Sequence, residues 1–349
     1  MRVVPRRVPA ATLVSAVFRL RELGIFVALA ATVLFFSIHA TNFATVGNWR
    51  DISTDVAMVV VVAVGETMVV LTRNIDLSVG SIAGLTAYIS SSTLAHHNGI
   101  PIPVIALIAI GIGLACGIGN GVLVAVGRIP AIIATLATLS IYRGVLFEVT
   151  HGQNVFASQL PDSFLNLAAK TPGGLPSLAW IALAVALAGA AVLRWARWGR
   201  DFFAIGSNPE AARFAGVRVS RRIFLAFAIS GALAGLGGFM FAARFASVDA
   251  TAATGFEFDV ITAVVIGGVN VFGGSGSILG ATLGAVLVAT INDGFTLLRI
   301  SEFWKIFFDG AAIVAAVTVD SLIKDRLQEF LRSRRRAQLL ATHERAVRA

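Results

Sequence analysis

The side chains with most chemical potential in this sequence are ionisable and amide groups embedded in long apolar runs. Glu66 stands in the middle of VVVVAVGETMVVL, and Asn120, Arg143, Glu148, Asn292, Asp293 and Asp309 lie within or near other such runs. A charge at the centre of a bilayer costs on the order of 3 kcal/mol on insertion scales. Groups kept at that cost either line a polar pathway for a hydroxylated solute or hydrogen-bond one helix to another. Residue types alone leave both readings open. Arg143 and Glu148 are expected to pair near the outer end of their helix. Catalytic chemistry has no foothold. There is no His-Glu-x-x-His, and the one approach to Gly-x-Ser-x-Gly has Ser277 where the last glycine belongs. His96 and His97 sit in a short turn without acidic or cysteine companions, which does not make a metal site. Gly273–Ser277 lacks the Gly-Lys-Ser/Thr ending of a phosphate loop and reads as a tight turn, so the chain has no nucleotide site and binds no cofactor of its own. The single Cys116 lies in an apolar run and cannot form a disulfide within the chain.

A second constellation lies in WGRDFFAIGSNPEAARFAGVRVSRR (Trp198–Arg222), a polar, basic stretch between two apolar runs. It contains a short helix written almost entirely in caps. Asn208 is placed to accept a free backbone N–H at the N-cap. Pro209 occupies the first helical position, where its missing N–H costs nothing. Glu210 sets a negative charge against the positive end of the helix dipole. Ala211, Ala212, Arg213, Phe214 and Ala215 carry the turn, and Gly216 offers a left-handed stop. Two helical turns are marginal in water unless something holds them. The segment reads as a docking helix, or as a solvated connector between membrane helices.

The elements that carry these residues are membrane helices. Hydrophobic residues make up 57% of the chain, charged residues 13%, and the mean hydropathy is +0.84, which marks a polytopic membrane protein. Apolar runs fall at about Leu23–Ala40, Val56–Thr72, Leu77–Leu94, Pro103–Val126, Ile129–Val149, Leu178–Leu193, Ile223–Ala243, Asp259–Val271, Ser277–Leu298 and Phe303–Leu322, most of them of spanning length. The first is taken as a retained span, because a signal peptide has a shorter basic start than the one before it. The net charge of +9 comes from Lys and Arg concentrated in residues 1–22, 194–222 and the tail after residue 322. That asymmetry follows the positive-inside rule and argues against a nucleic-acid partner. About ten spans put both termini in the cytoplasm, with residues 1–22 and 323–349 as basic cytoplasmic segments, residues 23–322 as the membrane domain, and 194–222 as a cytoplasmic loop.

Two runs are unusual. Asp259–Val271 is too short to cross a core of roughly 30 Å as a straight helix, and it ends in glycines, as a half-helix buried among neighbours would. Asn74–Leu94 is rich in Ser and Gly and is expected to face the bundle interior. Each begins near an acidic residue, Asp76 or Asp259, as discontinuous helices do in internally repeated transporters. Glycines at spacing four (Gly113/Gly117/Gly121, Gly231/Gly235, Gly280/Gly284) read as helix packing sites.

Four segments standing in order carry a family resemblance: TRNIDLSVGSIAG (Thr72–Gly84), GNGVLVAVGRIPAIIATLATLSIYRG (Gly119–Gly144), GRDFFAIGSNPEAARFAGV (Gly199–Val217) and GFEFDVITAVVIGGVNVFGGSGSILGATLGA (Gly255–Ala285). Together they resemble the permease subunits of ribose-type ABC sugar importers, with the rhamnose and autoinducer-2 branch most similar. The resemblance implies a dimer with a second copy or a sister permease in a bacterial inner membrane. It also implies a periplasmic sugar-binding protein outside and an ABC ATPase subunit inside, which would use the ATP and Mg. By position it assigns Gly199, Arg200, Gly206, Asn208, Ala211, Ala212 and Gly216 to ATPase coupling, with Pro209 and Glu210 belonging to the same capped helix. Asn74, Asp76 and Ser78 fall in the family's most recognisable membrane motif. With Glu66, Asn120, Arg143 and Glu148 they are the candidate lining of the solute pathway. The competing expectation is a secondary transporter driven by an ion gradient, with Glu66 or Asp309 carrying protons.

Overall fold

Each of the apolar runs overlaps a helix in the computed structural model, which describes residues 10–97, 99–301, 303–318 and 321, with side chains from residue 24 onward. The basic tail, residues 323–349, and residues 1–9 lie outside the described part. In chain order the helices are α1 (Ala10–His39), α2 (Val46–Leu71), α3 (Val79–His96), α4 (Ile102–Gly121), α5 (Ala131–Thr150), α6 (Asp162–Ala169), α7 (Ser177–Trp195), α8 (Arg197–Ser207), α9 (Pro209–Phe214), α10 (Val219–Phe245), α11 (Phe256–Ile266), α12 (Ile278–Leu297) and α13 (303–318). The only β feature among the described residues is an antiparallel bridge between Val155 and Val248. Among the described residues six helices are long and apolar enough to cross a membrane: α2, α4 with its continuation to Val126, α5, α7, α10 and α12.

Sequence punctuation explains the helix starts. Pro101, Pro130, Pro161 and Pro176 stand immediately before α4, α5, α6 and α7, where a residue without an N–H forfeits no helical hydrogen bond. Thr45 and Ser277 cap α2 and α12 by accepting from the N–H of Asn48 and Gly280. The last turn of the α4 run widens into a π-helix at Val122–Val126 and then closes on Arg128, which is left-handed at φ 56°.

α2 is the axis of the fold, buried along nearly its whole apolar length and packed on α7, α10, α11 and α12. The glycine repeats are packing sites within this chain. A methyl group on Gly113 would lie 2.8 Å from the Cα of Gly235, and one on Gly231 would lie 2.6 Å from that of Gly117. α4 and α10 therefore meet backbone to backbone, as small residues permit in lipid. Gly280 and Gly284 face α11 in the same way, against Gly267 and Ala263. α3 is buried on all sides from Val79 to Tyr88, as its Ser and Gly content required. At 11 residues α11 spans only about 16 Å, and it runs into a glycine-rich loop that returns the chain to α12. Many large apolar side chains are left exposed; Leu107, Ile133, Phe147 and Leu187 lie on α4, α5 and α7, and Phe26, Leu34, Trp304 and Phe307 on α1 and α13, outer faces that suit a hydrocarbon surround.

Candidate coupling site and buried polar hub

The segment 197–222 is more helical than its polarity suggested. Residues 197–207, expected as loop, form α8, because their apolar residues fall on one face: Gly199, Phe202, Ile205 and Gly206 are buried while Arg197, Arg200 and Ala204 are exposed. The glycines permit this seat. A Cβ on Gly199 would lie 2.9 Å from the Cα of Leu193, and one on Gly206 would collide with the carbonyl of Leu71 and the backbone of Gly274.

α9 follows at once. Asn208 is extended, at φ −158°, and its Oδ1 accepts from the N–H of Glu210 and of Ala211, both at 3.0 Å. At the other end Gly216 is left-handed at φ 83°; its N–H donates to Arg213 O at 2.9 Å, and Val217 N–H donates to Ala212 O at 3.0 Å. That pair of bonds is a Schellman closure. Beneath the helix, Ala212 packs on Ile205 and Val219 in a small core of its own. Asp201 accepts from Arg222 Nε at 2.7 Å, fastening α8 to the start of α10. What remains is an outward face of Ala211, Arg213, Phe214 and Ala215, with the Phe214 ring 92% exposed. Arg200 is also exposed, one helix away.

The polar residues of the apolar runs converge on Asp76. Its Oδ1 accepts from Ser78 N–H at 3.0 Å and from Ser78 Oγ at 2.7 Å. Asn120 Nδ2 lies 3.3 and 3.4 Å from the two carboxylate oxygens and donates to Ser78 Oγ at 2.7 Å, while Ser230 Oγ reaches Oδ2 at 3.5 Å. The Asp76 N–H donates to Glu66 Oε1 at 3.0 Å. Tyr142 Oη donates to Cys116 O at 2.9 Å and stands 3.3 Å from Asn120 Oδ1. Glu66, Asp76, Ser78, Asn120 and Ser230 are all fully buried. The cluster thus joins α2, the start of α3, α4, α5 and α10. Close backbone approach makes it possible, since a methyl on Gly65 would lie 2.7 Å from the Cα of Ser230. Ser230 and Tyr142 were missed from sequence, because a single Ser or Tyr in an apolar helix carries no signal of its partner.

The remaining candidates are dispersed. Asn74 is half-buried and bonds to Thr72 next to it. The expected Arg143–Glu148 pair does not form. Residues five apart on a helix do not share a face; Arg143 donates instead to the carbonyls of Ala252 and Ala253, at 2.6 and 3.3 Å, and Glu148 is exposed. At the other end of α2 a further polar group forms, with Arg244 between Asp51 and Asp55 at 2.9 and 2.8 Å, Asn48 on Asp293 at 2.8 Å, and Asn292 on Asp259 at 2.9 Å.

Residues 48–317 match the family described as branched-chain amino acid transport system / permease component. The autoinducer 2 import system permease protein LsrC of Salmonella typhi is 34% identical over 321 residues, covering 92% of this chain and 91% of the relative. Its counterpart in Escherichia coli O9:H4 is 35% identical over 90% of this chain and 91% of the relative, and that of Photorhabdus luminescens is 33% identical over 89% and 92%. An all-helical bundle with an end-capped helix standing proud of it, and this extent of likeness, agree: the chain belongs to this family of transport permeases.

Proposed function

We propose that this chain carries autoinducer 2, or a small hydroxylated sugar like it, inward across a bacterial inner membrane by alternating access. It is the permease component of an ABC sugar importer, a transport subunit and not an enzyme. Energy then enters from a separate ATPase, and solute arrives on a periplasmic binding protein. The observation that supports the coupling assignment is α9. A two-turn helix capped at both ends and seated on its own small core leaves Phe214 92% exposed, which is a rigid apolar contact waiting for a partner surface. Gly199, Gly206, Asn208, Pro209, Ala212 and Gly216 build and seat that helix; Arg200, Glu210, Ala211 and Phe214 face outward to meet the ATPase.

ATP binding draws two ATPase domains together. They carry α9 of this chain and its equivalent in a second copy or sister permease, and the cavity between the permeases opens outward. Hydrolysis returns it inward. In this reading the bundle has about ten spans with α11 as a half-helix, and α8–α9 faces the cytoplasm with both termini. Asp76, Ser78 and Asn120 bond to one another and Glu66 accepts from the Asp76 N–H, all inside one permease, so their part is to hold the moving helices in register.

The test is co-reconstitution of the permease with its ATPase and binding protein in proteoliposomes, with autoinducer 2, rhamnose and ribose offered in turn. Uptake should need ATP and both partners and should survive dissipation of the proton gradient. Uptake by the permease alone that collapses with the gradient would sink this reading.

A further inference from the structure

Where the α8–α9 unit meets the membrane core, one polar side chain bonds to the end of α8, Arg73. It follows α2 directly and is left-handed at φ 67°, a conformation costly for any residue with a Cβ. Its Nε donates to Gly206 O at 2.5 Å and its Nη2 to Ser207 O at 2.8 Å. Those are the last carbonyls of α8, which have no partner within the helix and carry the negative end of its dipole. A planar cation with two parallel donors suits such a pair. The loop before α12 closes the joint, as Gly274 N–H donates to Leu71 O at 3.0 Å. Space there admits nothing more: a Cβ on Gly273 would lie 2.5 Å from Arg73 Cγ, and one on Gly274 2.6 Å from Ser207 N. Three residues beyond Arg73 stands Asp76, the centre of the buried hub.

We propose that Arg73 is a positioning residue that ties the end of α8 to the Asp76 hub, so that movement of α9 reaches α2, α3, α4 and α10 through its guanidinium. This rests on the reading that α9 docks on an ATPase. Two parallel routes exist, the chain itself at Ala196 and Val219 and the Asp201–Arg222 ion pair, and both lead to the outer helices or to the start of α10. Arg73 leads to the axis of the bundle, and it is the side chain that bonds α8 there, beside the backbone contact of Gly206 with Leu71.

The test uses the whole importer in proteoliposomes, with whichever of autoinducer 2, rhamnose and ribose the unsubstituted complex takes up. Arg73→Gly deletes the guanidinium while relieving the left-handed backbone. Its expected effect is a fall of about tenfold in solute taken up per ATP hydrolysed, the scale of a typical coupling interaction, with ATP hydrolysis and complex assembly retained. Arg73→Lys, which keeps the charge and one donor, should recover part of the loss. A Phe214→Cys cross-link to the ATPase, made in a Cys116→Ser background, reports docking independently. If the cross-link forms and Arg73→Gly keeps uptake per ATP within about twofold of the unsubstituted complex, the Arg73 proposal is overturned. Absence of the cross-link in the otherwise unsubstituted chain overturns the docking reading beneath it. Should Arg73→Gly fail to assemble, Arg73→Lys decides: an assembled complex with unimpaired uptake per ATP overturns the proposal, and an impaired one supports it.

Discussion

At the scale of single residues, most of the coupling segment's chemistry is local. Asn208 serves two N–H groups with one oxygen, and a helix of six residues has little else to start it. Replacing Asn208 with Ala should cost about 1 kcal/mol of local helix stability, loosening α9 without unfolding the bundle. Uptake per ATP hydrolysed should fall while the amount of permease in the membrane stays constant. Asn208→Asp, which keeps the acceptor, should behave as the parent does. Equal uptake by Asn208→Ala and the parent would show that α9 need not be rigid. Asn120 makes a different case, because its donors go to Asp76 and Ser78, far apart in sequence. Asn120→Leu leaves those buried acceptors short of a donor, at about 1–3 kcal/mol. The expected readout is a lower melting temperature of the purified permease; an unchanged one would mean that the hub does not stabilise the fold.

At the scale of elements, contacts between helices rest on the absence of side chains as much as on their presence. Gly113 and Gly231 bring α4 and α10 together over two turns, and a leucine at either position has no room. Gly231→Leu should destabilise by several kcal/mol, beyond the roughly 1–3 kcal/mol of ordinary overpacking, and appear as loss of protein from the membrane fraction. Gly111, which faces open space on the same helix as Gly113, should tolerate leucine. Equal expression of the two variants would contradict this packing. α8 belongs to the same lesson. Its helix forms because Phe202 buries against the bundle and Ile205 against Ala212 and Val219, with Gly199 and Gly206 letting it lie close.

At the scale of the whole molecule, two polar groups mark opposite ends of α2: the Arg244–Asp51–Asp55 network near its start and the Arg73 joint just past its end. If the basic α8–α9 side is cytoplasmic, cysteines introduced on a Cys116→Ser background should label from opposite sides. Phe214→Cys should react with a membrane-impermeant maleimide only in inside-out vesicles, and Gln153→Cys, exposed after α5, only in right-side-out ones. Labelling of both from one side would refute the topology.

Much of this protein was legible in its sequence, for reasons that are local. Spanning helices follow from apolar runs because unpaired backbone is intolerable in lipid. The α9 caps follow from Asn208, Pro209 and Gly216 because capping geometry involves only neighbours. The basic bias of 194–222 is a count. Pairings across the fold were not legible. Arg143 turned away from Glu148 toward Ala252 and Ala253, and Ser230 joined Asp76 from 154 residues away. Nothing in residue spacing records which faces of two helices will meet. Arg73 shows the limit best: in sequence it is one basic residue between two apolar runs. Only the packing of α2, α8 and the loop before α12 sets its guanidinium on two orphan carbonyls, because that requires three distant segments to converge on one point.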